Sequence, residues 1–116
     1  MSRGVPPGWF PRRGQIYFAA LDKLRSALIL SVDILNKHSL DVCVVPLTTM
    51  ACGQFSLRVH IEVGQGGLRS GSWAKTDQVT TVEKRLLRPP ALGRLPDHIL
   101  QQVEERVRIA LGLTNC

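Results

Sequence analysis

Phe55, Leu57, Val59, Ile61 and Val63 alternate with Gln54, Ser56, Arg58, His60 and Glu62. A period of two rules out an amphipathic helix here and requires a strand with one buried and one wet face. The rest of the chain has the same texture. Gln15 to Leu21 and Arg25 to Val32 read as strands separated only by Asp22-Lys23-Leu24, which fits a tight turn. Asp33 to His38 is polar enough for a single helical turn, and a third strand starts at Asp41. Gly64-Gln65-Gly66-Gly67 ends the alternating segment, and Ser72 to Val79 reads as a further strand around Trp73. Thr80-Thr81-Val82-Glu83 has capping-box spacing, which predicts a short helical turn before Arg85 that Pro89 and Pro90 close.

The C-terminus changes period. Pro96 suits the first position of a helix and Asp97 its positive end, while Ile99, Val103, Val107 and Leu111 recur along one stripe up to Gly112. A helix over about 96–111 is expected. Short strands followed by one helix imply a small, strongly curved sheet or barrel with the helix packed against it. The 116 residues allow one hydrophobic core, so residues 13–116 are expected to form a single domain. A chain this short buries only about two thirds of its unfolded surface, and dimerisation would add core. Gly4, Pro6, Pro7, Gly8 and Pro11 break residues 1–12 into a loose arm, with Trp9 and Phe10 available to dock on the domain.

Fifteen Lys and Arg against nine Asp and Glu give a formal charge of +6, which points to a polyanionic partner or to a basic soluble surface. Cys43, Cys52 and Cys116 lack CxxC spacing and are odd in number, so neither a zinc knuckle nor a disulfide framework is indicated; Cys43, in an apolar run, reads as a small core residue. No secretory h-region and no apolar stretch of spanning length is present, so a cytoplasmic protein with no membrane association is expected.

Arg25 opens the second strand and Thr48 lies near the end of the third. If the two pair antiparallel about a midpoint between Asn36 and Lys37, inside the polar connection, Arg25 and Thr48 meet at one sheet end. A guanidinium and a hydroxyl there can together hold a phosphate. Taken alone, an arginine at a strand start is usually a solvated edge residue, and a threonine in a strand fits through its β-branching.

Arg13-Gly14-Gln15-Ile16-Tyr17, Arg25 opening an apolar strand, Asp33-Ile34-Leu35-Asn36, Pro46-Leu47-Thr48, Val59-His60-Ile61-Glu62-Val63, Asp77-Gln78-Val79 with Thr81-Val82-Glu83-Lys84, and Gly93-Arg94-Leu95 occur in this order. Together they resemble the MazF/PemK family of toxin endoribonucleases over roughly residues 13–113. The resemblance implies a mainly β fold with a C-terminal helix, an SH3-like barrel of the PemK/CcdB type. It also implies a homodimer that cuts single-stranded RNA at short sequences without a metal or cofactor and is neutralised by a MazE-like antitoxin. Two departures stand out. Asp22-Lys23-Leu24 nearly abolishes a longer loop between the first two strands, and with it a carboxylate that some members present near the site; Ser26 replaces the proline that usually follows the arginine.

With no metal ligands and no protein nucleophile in a convincing setting, the simplest chemistry is attack by the RNA 2′-hydroxyl, leaving a 2′,3′-cyclic phosphate and a 5′-hydroxyl, as the resemblance also implies. Arg25 would stabilise the developing charge and Thr48 would donate to the phosphate. His60, on the wet face, is the candidate acid or base, although a plain polar-face residue is the simpler account. Asp77 and Gln78 match a family segment beside the RNA groove and can read base edges, or simply stabilise a turn. Thr49, Arg58 and Lys75 could line the phosphate path, while Lys84, Arg85, Arg88 and Arg94 read as a solvated basic face. A CcdB-like gyrase inhibitor acting by protein contact is the competing function. Its relatives end in an exposed Trp-Gly-Ile-like tail, whereas this sequence ends Leu113-Thr114-Asn115-Cys116. A catalytically weak RNA-binding relative is the third.

Overall fold

The structure, a computed structural model, describes residues 7–50 and 57–113. Its elements are β1 (Gln15–Ala20), β2 (Leu24–Ile29), α1 (Asp33–His38), β3 (Asp41–Thr48), β4 (Val59–Ile61), β5 (Ser72–Ala74), β6 (Thr80–Glu83), β7 (Leu87–Arg94) and α2 (Asp97–Ala110). The strands form one antiparallel seven-stranded sheet in the order β4-β5-β3-β2-β1-β7, with β6 also paired to β3. β3 is the hub: its first half carries β6 and its last residues carry β5, while β2 pairs along its other side. Among the described residues no ladder joins β4 to β7, so the barrel is open.

Both faces of the curved sheet are buried. On one, Ile99, Leu100, Val103 and Val107 of α2 pack on strand residues that include Ile16, Leu28, Val45, Leu47 and Ile61. On the other, Tyr17, Ala19, Ala27, Ile29, Val42, Val44, Val82 and Leu87 form a second cluster, to which Trp9 adds an edge-to-face contact with Tyr17 at 5.9 Å. Burial on both sides explains why the second half of β2, Ala27-Leu28-Ile29, is continuously apolar rather than alternating. The helix stripe stops short of Leu111, which is 51% exposed.

Four expectations are corrected. Thr80–Glu83 is strand β6, in register Asp41↔Glu83 to Val44↔Thr80, because two threonines and a buried valine fit a pleat beside β3; the helical turn, a 3-10 one, comes later at Lys84–Leu86. The run from Ser72 breaks after Ala74, where buried Thr76 donates from Oγ1 to the Leu57 carbonyl at 3.0 Å and pins a turn. Pro89 and Pro90, joined by a cis peptide, do not end an element but lie within β7. They fall where the β1–β7 register shifts between Ile16 and Phe18, so their missing N–H groups interrupt no regular ladder. Cys43 is exposed: it lies on the face of β3 opposite Val42 and Val44, ahead of Val45 and Leu47, which are the residues of that face that join the core with α2. Cys52, Cys116 and the first residues of the alternating run lie outside the described residues. Within that run Val59 and Ile61 are buried and His60 is exposed, whereas Val63 is 61% exposed.

Two local devices fix the geometry. The 3-10 turn Gln65–Gly67 lies backbone-to-backbone on β7: a Cβ on Gly67, whose φ is 79°, would sit 1.8 Å from the Leu92 carbonyl oxygen. The other device is Asn36 of α1, wholly buried. Its Nδ2 donates to the Ser31 carbonyl at 2.8 Å, and its Oδ1 accepts from the Ser31 hydroxyl. Ser31 Oγ in turn accepts from the Cys43 N–H of β3 at 3.0 Å. Lys84 Nζ donates to the Asn36 carbonyl at 2.8 Å. Removing the amide strands buried polar groups, which typically costs about 1–3 kcal/mol. Asn36→Ala is therefore expected to lower the unfolding free energy by about 1–3 kcal/mol in urea titration; an unchanged midpoint would show that the clamp contributes nothing.

Candidate active site

β2 and β3 pair as Ala27↔Pro46, Leu28↔Val45 and Ile29↔Val44. Continued by two residues, that register sets Arg25 across from Thr48, about the midpoint expected from the sequence. Arg25 and Thr48 line one cleft of about 330 Å³ with Phe18, Ser26, Thr49 and Met50. A second cavity of about 410 Å³ adjoins it, sharing Phe18, Ser26, Thr49 and Ser72 and adding Arg69.

The short β1–β2 turn brings a carboxylate of its own to the arginine. Asp22 accepts from Arg25 Nε at 3.0 Å and from Nη2 at 3.2 Å, a two-pronged pair on one edge of the guanidinium. A guanidinium has five N–H groups, so the end formed by Nη1 and the second Nη2 hydrogen stays available. The side-chain hydrogen bond from Arg25, helped by the Lys23 backbone N–H, holds the exposed Asp22 carboxyl down to about 2. The same hydrogen bond raises the Arg25 pKa above its already high value, so the guanidinium stays charged at every working pH.

Thr48 Oγ1 accepts from the Met50 N–H at 3.2 Å. One of its two lone pairs is thus occupied while its proton is left to donate, in a residue half-buried at the cleft rim. A fixed cation and a hydroxyl donor on neighbouring strands can bind one anionic tetrahedral group between them.

The other sequence candidates fall into three places. Thr49 is in the cleft. His60 is the register partner of Trp73, and Trp73 is the partner of Thr48, so His60 lies two strands from Thr48, about 10 Å away. Continuing the same ladders puts Lys75 and Arg58 one pleat further along that face; the Lys75 N–H bonds the Pro46 carbonyl at 2.9 Å. Asp77 and Gln78 are exposed on the turn between β5 and β6, beyond Lys75 and outside the residues lining either cavity. Sequence reasoning singled out Ser26 only as a departure beside Arg25, and missed Asp22, Phe18 and Arg69. Asp22 had a signal in its three-residue spacing from Arg25; the others converge only in three dimensions. Among the described residues, no group of three or more His, Cys, Asp or Glu side chains is placed to hold a metal ion.

Residues 12–111 match the family model of the PemK-like, MazF-like toxin of type II toxin-antitoxin systems. The chain belongs to this family. An endoribonuclease from a mycobacterial species, solved in complex with its cognate antitoxin, superposes with a TM-score of 0.78 at 27% identity, covering 91% of this chain and 99% of that one. The Mycobacterium tuberculosis toxin MazF-mt6 gives 0.77 at 28% identity over 87% and 99%. A MazE–MazF structure from Deinococcus radiodurans shares the fold at 0.76 and 22% identity over 91% and 100%. No individual curated protein matches by sequence. In this MazF-like toxin the short turn itself delivers the acid to the arginine, a contact that titration reports directly. The folded Asp22 pKa is depressed from 3.8, so the pair's stabilisation is present above about pH 4 and is lost as the pH falls through about 2. NMR titration of the Asp22 carboxyl is expected to give a midpoint near 2 that returns toward 3.8 in Arg25→Ala; an ordinary midpoint in the native protein would dismiss the contact.

Proposed function

We propose that this toxin is an endoribonuclease that cuts single-stranded RNA at short sequences, using the RNA's own 2′-hydroxyl as nucleophile. The observation that carries the reading is the register of β2 and β3, which sets an ordered guanidinium across from a hydroxyl donor at an open cleft. The 2′-oxygen attacks the adjacent phosphorus and the bond from phosphorus to the 5′-oxygen breaks. The products are a 2′,3′-cyclic phosphate and a 5′-hydroxyl. The 2′-hydroxyl proton passes to solvent and the leaving oxygen takes one from solvent, a scheme that needs neither metal nor cofactor.

Charge builds on the non-bridging phosphoryl oxygens, and donors already aimed there lower the barrier most. Arg25 presents its free guanidinium end to those oxygens while Asp22 holds the other edge. A group with a pKa above about 12 is a poor base, so its part is electrostatic. Thr48 donates its hydroxyl hydrogen to the same phosphate. Thr49 lies against the adjoining backbone, Arg58 and Lys75 extend the basic path, and Asp77 and Gln78 read bases further along the strand. The distance of His60 from Thr48 favours binding over proton transfer at the scissile phosphate. The antitoxin complexes of the mycobacterial endoribonuclease and of the Deinococcus protein support a MazE-like antitoxin as partner here. A cytoplasmic homodimer completes the reading.

Incubating the purified protein with mixed RNA in EDTA and mapping 5′-hydroxyl ends is expected to reveal cuts at one shared short motif. DNA of the same sequence, lacking the nucleophile, should survive. Arg25→Ala and Thr48→Ala are each expected to slow cleavage by about a hundredfold or more without moving the unfolding midpoint. Full activity in both variants, or inhibition of purified gyrase with no RNA cleavage, would overturn the proposal.

A further inference from the structure

Thr48, Trp73 and His60 are successive register partners across β3, β5 and β4. Residues opposite one another on neighbouring strands project from the same face, so the three form a row. The face is the outer one: the alternate residues Leu47, Ala74, Val59 and Ile61 are those that join the core with α2. The His60 and Trp73 rings meet with centroids 4.7 Å apart and planes at 59°. An aromatic surface two strands wide therefore begins about 5 Å from Thr48. It is open to solvent, with the His60 side chain 39% exposed and Trp73 half-buried. Continued by one residue beyond Ala74 and Val59, the same ladders set Lys75 and Arg58 one pleat away on this face.

A tryptophan serving only to fill the core would occupy the alternate position, as Ala74 does. Here the larger ring is turned outward beside a phosphate-binding pair and backed by an imidazole. Every nucleobase has a π face, and aromatic side chains next to a basic track are how unpaired strands are held without regard to base identity.

We infer that the outer face of β5 and β4 is a stacking subsite for one unpaired nucleobase next to the scissile phosphate. Trp73 and His60 form the platform, and Lys75 meets the following phosphate. The inference rests on the RNA reading above and adds a location to it: affinity comes from this face, chemistry from the Arg25–Thr48 cleft. Trp73 is thus a positioning residue, whose loss weakens binding of longer substrates and leaves turnover at saturation within about twofold.

The chain has two tryptophans, so Trp9→Phe leaves Trp73 as the lone reporter. That variant is titrated with a short RNA carrying the mapped motif and a 2′-deoxy residue at the cleavage position, and with the same RNA made abasic at each flanking nucleotide in turn. The expected result is saturable quenching of Trp73 emission that one abasic position abolishes. Trp73→Ala should raise Kd and KM by about 5- to 100-fold, and Trp73→Phe should restore most of the loss. Should native protein bind and cleave RNA while Trp73 emission and the Trp73→Ala affinity stay unchanged, the platform is refuted and the nuclease reading stands. Emission that follows protein concentration rather than RNA would make this face a contact between copies and would equally refute it. No binding or cleavage by the native protein would instead remove the endoribonuclease reading on which the platform rests.

Discussion

The buried amide of Asn36 is the constraint on which the site depends. It sits at the midpoint of the connection between β2 and β3, holds both the carbonyl and the hydroxyl of Ser31, and through Ser31 grips the Cys43 backbone of β3. A slip of one residue between these strands would turn every side chain of β3 to the opposite face, taking Val42 and Val44 out of one core cluster and Val45 and Leu47 out of the other. It would also carry Thr48 away from Arg25. The functional pair is thus set by an interaction at the far end of the same two strands. Arg13 braces the neighbourhood: its backbone N–H bonds Asp33 Oδ1 at 2.7 Å, its Nε bonds the Leu30 carbonyl at 2.9 Å, and its Nη2 pairs with Glu104 of α2. The family motifs around Arg13 and around Asp33 to Asn36 therefore have a structural meaning, while Arg25, Leu47 and Thr48 of the motif residues line the cleft.

Much of this was legible in the chain because it depended on local pattern. The tight turn around Asp22 and Lys23, the short helix at Asp33, the start of β3 and the helical stripe of Ile99, Val103 and Val107 each follow from spacing over a few residues. Hairpin symmetry extended that to one tertiary statement, the placing of Arg25 opposite Thr48. The readings that failed depended on distant partners. Thr80 to Glu83 becomes a strand only because β3 offers an edge, and Pro89-Pro90 is admitted to β7 only because the β1 register shifts beside it. Cys43 looked apolar in sequence, and the clamp on Ser31 decides which face it takes.

Asp22 shows how a shortened segment can change the local chemistry. The acid in this short turn occupies one edge of Arg25 and leaves the other edge free for the phosphate of the proposed reaction. The guanidinium is held in place before substrate arrives, so less side-chain freedom is lost on binding. On the proposed RNA reading, an open cleft with an ordered arginine leaves the grip on the strand to surrounding surface, and the wet face of β5 and β4 adjoins it with aromatic rings.

The central claim is that Arg25 and Thr48 act on one phosphate as a unit. A double-mutant cycle on kcat/KM for RNA cleavage, with Arg25→Ala, Thr48→Ala and the pair together, measures this directly. Groups that act as a unit are strongly non-additive, so the double variant is expected to be little slower than the slower single variant. Losses that multiply would mean that the two side chains act independently, and would contradict the account.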